Sequence, residues 1–328
     1  MIEKLYRVWH CPGMVVERVY RKYSDTGMYE WVIDEFVKDH NLMNNILKYA
    51  KENLNSFECG SISSNEICFL EYKGKRYVLK KPLMVGEKLS PFWRMMKNIF
   101  DFTFRKQYAK FENVYNILKD NPHIPTAPFV AADDEMMIFE FTDGVSWSED
   151  CFPTGRNNAY ILGQYIGYNH CESHKCCGLL GVEDIDDFFE RVHTHIQNCI
   201  NTYWNGEEHI DKRVRAFYDK LKCKDFQSSR YSMIMVDICA DQFLYNGEEI
   251  AACVDLDSYV IGPVEWELSM LKNQVSDWDS FKAGYEIYLK MPDFEHFSDL
   301  FHFLMGLNSY NNKCEMEQYW SRFFTESF

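Results

Sequence analysis

The chain has 328 residues, a formal net charge of −15, 46% hydrophobic and 16% aromatic residues. This length holds one large two-lobed domain or two ordinary ones, and the apolar content excludes a disordered chain. The negative balance argues against a nucleic-acid partner, whose phosphates it would repel, and favours a cationic small molecule. Without a run of eighteen apolar residues or a signal-like amino terminus, a cytoplasmic protein with no membrane partner is expected, and its twelve irregularly spaced cysteines read as reduced thiols.

In chain order, residues 1–56 read as a helical amino-terminal extension, with Val32, Phe36, Met43, Ile46, Leu47 and Ala50 near helical spacing. From Phe57 the pattern shortens: CGSISSNEICFLEY, a Lys73-Gly74 turn and KRYVLKKP predict a hairpin and a third strand. Gly60 to Asn65, carrying Ser63, Ser64 and Asn65, is either an ordinary polar loop or a turn that offers N–H groups and hydroxyls to phosphate oxygens. Val78-Leu79-Lys80 sets an ammonium at the end of an apolar strand. Alternation sends Lys81 to the opposite face, and a one-residue register error exchanges the two lysines. Phe104, Tyr108, Phe111, Tyr115 and Leu118 make a core-facing helical stripe, beside which Glu112 is either a partner for Lys80 or a solvated charge. Met136 to Phe141 reads as a buried strand that leads through Glu140 to Thr142-Asp143-Gly144, a position suited to a hinge.

Beyond Gly144 helices dominate. Ile161, Leu162, Tyr165, Ile166 and His170 mark one, and Phe188, Phe189, Val192, Ile196 and Cys199 another, whose preceding acids Glu183, Asp184, Asp186 and Asp187 are either helix-start carboxylates or groups for a substrate amine. Cys171, His174, Cys176 and Cys177 lack a second CxxC pair and are read as thiols rather than a zinc centre. The most informative stretch, MIMVDICADQFLYNGEEIAACVDLDSYVIGPVEWE, runs from Met233 to Glu267. An apolar run ends on Asp237, Gln242 to Tyr245 reads as a strand, Asn246-Gly247 turns the chain, and a second strand delivers Asp255. Two carboxylates thus flank one hairpin. They are either solvated turn acids or an arrangement for phosphoryl transfer, in which one carboxylate orients the attacking hydroxyl and another holds magnesium.

The order of these features resembles the aminoglycoside phosphotransferase and choline kinase group of small-molecule kinases. Asp237 matches the Asp of that group's HGD triplet, with Met235 and Val236 in place of His and Gly. Gln242 stands at the Asn position five residues on, and Asp255 at the second Asp. Ser63, Ser64 and Asn65 match a GG-x-SN turn, LGQYIGYNH an LG-x-x-x-x-x-LH helix, and Gly262-Pro263 with Trp266-Glu267-Leu268 a GP-x-x-x-DLA segment.

The resemblance covers roughly residues 57–308. It implies an α+β, protein-kinase-like two-lobed fold, with a β-rich small nucleotide-binding lobe at 57–143 and a mostly helical large catalytic and substrate lobe at 144–328. It also implies ATP or GTP and Mg2+ as cofactors, with Asp237 catalytic and Gln242 and Asp255 on the metal. Ser63, Ser64, Asn65, Lys80 and Glu112, together with main-chain atoms of Glu140 and Thr142, would serve the nucleotide. The expected reaction transfers the γ-phosphoryl group to a hydroxyl of a small molecule, and the charge favours a cationic, aminoglycoside- or choline-like acceptor. Two alternatives stay open: a degraded kinase-like binding or regulatory protein, and a sugar or saccharide kinase.

Overall fold

The computed structural model describes residues 2–6, 19–23, 29–31, 34–54, 58–62, 64–83, 89–147, 149, 151–154, 157–309 and 313–323. They form two compact units, Met1–Pro82 with Pro128–Phe141, and Leu83–Ala127 with Thr142–Phe328. This division differs from the expected one, because residues 83–127 group with the larger unit and not with a small lobe that ends at 143.

The smaller unit opens with strands where a helical extension was expected. Strands β1 (Ile2–Tyr6), β2 (Val19–Tyr23) and β3 (Tyr29–Trp31) pair antiparallel in that order, and only then does helix α1 (Asp34–Asn53) follow. Next come β4 (Glu58–Ile62), β5 (Asn65–Tyr72), β6 (Lys75–Pro82), β7 (Phe129–Ala132) and β8 (Met137–Glu140), in one antiparallel sheet of order β4-β5-β6-β8-β7. Lys73 and Gly74 both adopt positive φ, 51° and 76°, which matches the right-handed twist of the strands they join. Gly60 is not in a loop: it pairs with Ile67, Ser61 with Glu66 and Ile62 with Asn65, so the ladder runs to the hairpin tip. The core of this unit sets Ile46 and Ala50 of α1 against Cys68, Leu70, Tyr77, Leu79, Ala131, Met136 and Ile138. Cys68 is disulfide-bonded, which corrects the expectation of reduced thiols throughout. The residue opposite it in the ladder is Cys59, a juxtaposition that hairpin register creates and cysteine spacing does not reveal.

In the larger unit, α2 (Pro91–Phe100) begins at Ser90, whose hydroxyl accepts from the Trp93 N–H, and Pro91 occupies the first turn, where no backbone donor is needed. It stops at Asp101, in the left-handed region at φ 54°. Helix α3 (Phe104–Leu118) is capped by Thr103 and buries Phe104, Tyr108, Phe111 and Leu118, the predicted stripe. Then follow β9 (Val145–Ser146), α4 (Asn158–Asn169), β10 (Cys177–Leu179), β11 (Val182–Ile185), α5 (Phe188–Tyr203), α6 (His209–Leu221) and β12 (Tyr231–Met235). The chain continues through β13 (Phe243–Asn246), β14 (Glu249–Cys253), β15 (Tyr259–Pro263), α7 (Val264–Lys272), α8 (Trp278–Tyr285), α9 (Glu295–Ser309) and α10 (Lys313–Phe323).

Two small sheets, β11-β10-β15-β12 and β14-β13-β9, sit among these helices. Glu183 and Asp184 lie in β11 and not at a helix start, while Asp187 precedes α5 and pairs with Arg191 at 2.7 Å without capping the helix. Trp266 anchors the core, stacked on Phe301 at 4.9 Å and tilted against Phe100 at 5.8 Å, pairs worth about 0.5–1.5 kcal/mol each beyond their burial. Helices α4 and α8 touch backbone to backbone: a Cβ on Gly163 would stand 2.0 Å from the Phe281 carbonyl oxygen, and one on Gly284 2.1 Å from that of Tyr160. No helix among the described residues is long and apolar enough to cross a membrane.

Candidate active site

The candidate catalytic residues of the larger unit lie on one loop and the hairpin that follows it. Strand β12 pairs with β15 through Met235 opposite Tyr259, and Val236 N–H reaches the Ser258 carbonyl at 3.4 Å. Asp237 therefore leaves the sheet beside Ser258, whose hydroxyl donates to its Oδ1. Burial, and then the negative charge of Asp255, push the Asp237 carboxyl up to about 7, while the Ser258 hydrogen bond works in the opposite direction.

The loop after Asp237 is pinned at several points. Gln274 Nε2 donates to the Ile238 carbonyl at 2.8 Å, and the Tyr245 hydroxyl to that of Ala240 at 2.9 Å. A single 3-10 turn, Ala240–Gln242, follows. The Gln242 carbonyl accepts from both Val254 N–H (3.0 Å) and Asp255 N–H (3.4 Å), which ties the two candidate metal-binding residues through the backbone. Between them β13 and β14 form the predicted hairpin, with Gly247 at φ 63°. Asp255 is half-buried and Asp257 buried. Gln107, from the interior of α3, donates to the carbonyls of Asp257 (3.3 Å) and Tyr259 (3.0 Å), fixing the chain beyond Asp255.

A second network holds the strand that enters the loop. Glu267 is fully buried; its Oε1 accepts from Met235 N–H at 2.8 Å, and its Oε2 pairs with His170 Nε2 at 2.8 Å. His170 Nδ1 in turn meets the Tyr285 hydroxyl at 3.0 Å. The histidine at the end of α4 is therefore a packed, hydrogen-bonded residue, two bonds removed from the stretch before Asp237.

Three of the nucleotide candidates, Ser64, Asn65 and Lys80, lie on β5, β6 and the turn before β5 in the smaller unit. Lys80 is buried and Lys81 half-buried; they lie on opposite faces of β6, Lys80 on the face opposite the core residues Tyr77 and Leu79. Its cross-strand neighbours are Ile67 and Met137. Ser64 and Asn65 are buried at the hairpin tip, with Asn65 Nδ2 at 3.5 Å from Ser64 Oγ. Ser63 lies outside the described residues. Glu140 ends β8, where its N–H donates to the Pro128 carbonyl at 2.8 Å and its side chain pairs with Lys75 at 3.2 Å. In the larger unit, Glu112 is half-buried on α3, and the buried Thr142 hydroxyl has no hydrogen-bond partner among the described residues.

No protein-family model and no curated protein matches the sequence. Solved structures do. An ethanolamine kinase of Plasmodium vivax superposes with a TM-score of 0.53 at 12% identity, over 84% of this chain and 82% of its own. A choline kinase of Streptococcus pneumoniae gives 0.51 at 11% identity, over 86% and 98%. An amicoumacin kinase in complex with AMP-PNP and Ca2+ gives 0.51 at 15%, over 85% and 91%. The chain has the fold of the aminoglycoside phosphotransferases and choline kinases.

Within this kinase fold, Met235 and Val236, which replace His and Gly of the triplet, are both completely buried. Ser258, Gln107 and Gln274 escaped the sequence reading, because each acts on a residue distant in the chain and none carries a local pattern. Glu267 was placed by the resemblance, but its bonds to Met235 and His170 were not.

Proposed function

We propose that the protein is a cytoplasmic, Mg2+-dependent phosphotransferase that moves the γ-phosphoryl group of ATP or GTP to a hydroxyl of a small molecule, preferably a cationic one. One observation carries this reading. A carboxyl poised near neutrality at about 7 opens a pinned loop whose last residue, Gln242, is hydrogen-bonded to the backbone of a second acid, Asp255. In the proposed reaction Asp237 accepts a hydrogen bond from the acceptor hydroxyl and takes its proton late, as the new O–P bond forms and the bond to the nucleoside diphosphate breaks. Ser258 holds the Asp237 carboxylate in place for that role.

Gln242 and Asp255 offer an amide and a carboxylate oxygen, hard donors that suit magnesium. Bound there, magnesium would neutralise phosphate charge. Lys80, Ser63, Ser64 and Asn65 are assigned to the phosphates, and Glu112 and the main chain at Glu140 and Thr142 to nucleotide binding. The names of the ethanolamine and choline kinases, both amino alcohols, agree with an acceptor drawn by a net charge of −15.

The apolar Met235 and Val236 favour one rival, a protein that binds nucleotide without turnover. ADP release across choline, ethanolamine, an aminoglycoside and a monosaccharide decides between them. One acceptor class should stimulate release in the parent and not in Asp237→Asn. Stimulation by none of them, or an unimpaired Asp237→Asn, contradicts the proposal.

A further inference from the structure

We propose that Cys239 and Asp241 are positioning residues that turn the Gln242 amide so that its oxygen, and not its nitrogen, is presented to the divalent cation. The inference rests on the reading above and concerns residues to which that reading gives no role.

Gln242 is buried, and its Nε2 donates to Asp241 Oδ1 at 3.1 Å and lies 3.3 Å from Cys239 Sγ. Cys239 closes the triangle, its thiol 2.7 Å from the same Asp241 oxygen and 3.0 Å from the Asp237 carbonyl. Both contacts lie on one side of the amide nitrogen, and a carboxylate oxygen accepts only from N–H, so Asp241 fixes which end of the amide is nitrogen and turns Oε1 away from the triangle. Gln is one methylene longer than the Asn it replaces, and an untethered Gln could swing or flip its amide, offering N–H to a cation that needs oxygen. The triangle removes that freedom. All three residues lie within one turn, and Tyr245 braces that turn through the Ala240 carbonyl. Asp241 is exposed and makes its bonds on the outer side, so its loss perturbs the amide without opening the core.

The test uses the full-length protein with Mn2+ as the probe and AMP-PNP as the nucleotide, with free Mn2+ read by electron paramagnetic resonance. Losing the acceptor that orients the amide should weaken Mn2+ binding in Asp241→Ala by about five-fold, the size of one hydrogen bond, with melting temperature and metal-free nucleotide affinity unchanged. Cys239→Ala should show a smaller loss. Asp241→Asn and Cys239→Ser, which keep an acceptor atom, should stay near the parent and serve as folded controls. Parental Mn2+ affinity in both alanine variants, alongside a loss in Gln242→Ala, overturns the positioning role and leaves the catalytic reading standing. A parent that takes up no Mn2+ with AMP-PNP overturns both.

Discussion

Glu267 is the side chain whose removal should cost the larger unit most for the fewest atoms lost. Glu267→Ala takes away the acceptor of the Met235 N–H and the partner of His170 Nε2, both buried. A buried group left unpaired costs about 1–3 kcal/mol, and the emptied volume adds to that, so about 3–5 kcal/mol is expected in all. Glu267→Gln behaves differently. Its carbonyl still accepts from Met235, and its amide donates to His170 Nε2 once the ring carries its proton on Nδ1, facing the Tyr285 hydroxyl. That variant should lose about 1 kcal/mol or less. Urea unfolding followed by tryptophan fluorescence, compared at a common m-value, reads both effects. A Glu267→Ala protein within about 1 kcal/mol of the parent, or a Gln variant as damaged as the Ala one, would refute the network. Because Met235 stands two residues before Asp237, loss of turnover should follow the loss of stability in the alanine variant.

Four further outcomes are expected. Turnover should rise with pH through about 7 and level off, since the proposed base must be ionised; a profile flat from 5 to 9 contradicts the role of Asp237. In the metal-free protein the Asp237 carboxyl, pushed up to about 7, lies above its ordinary value of 3.8, so folded Asp237 holds a proton that the unfolded chain releases. Its contribution to stability should therefore fall as pH rises through that window, and Asp237→Asn should flatten the slope. Gly163→Ala should destabilise by about 3 kcal/mol or prevent folding, because the new Cβ meets a backbone oxygen that cannot move aside; chemical denaturation checks it, and a neutral effect would deny the close α4–α8 contact. Lys80→Ala should weaken nucleotide binding measured calorimetrically while Lys81→Ala does not, and equal effects would contradict the register-based choice.

Much of the fold was legible because its signals are local. The stripe from Phe104 to Leu118 repeats at helical spacing and is buried as expected, apart from the half-exposed Tyr115. Lys73-Gly74 and Asn246-Gly247 mark turns through backbone preference alone, and both appear, with the glycines at positive φ. Lys80 is buried and Lys81 only half-buried, a difference in the direction that strand alternation led one to expect. What was not legible depends on partners far apart in sequence. Strands β1 to β3 come from a stretch of sequence that shows no clean alternation, and Gly60 reads as a loop residue until Ile67 is seen opposite it. Glu183 and Asp184 imitate helix-start acids but belong to a strand paired with β10. Around the candidate site, Ser258 and Gln274 reach Asp237 and the loop after it, and Gln107 the chain beyond Asp255, from positions 21 to 150 residues away, and the Cys239–Asp241 triangle depends on a turn geometry that no spacing rule encodes.

The central claim, that Asp255 holds a cation with the nucleotide while Asp237 serves only the transfer step, meets its most direct test in thermal melting with and without Mg2+ and ATP. The parent and Asp237→Asn should both gain melting temperature when the two ligands are added together, and Asp255→Asn should gain little or none. No shift in the parent, or a full shift in Asp255→Asn, would contradict the account.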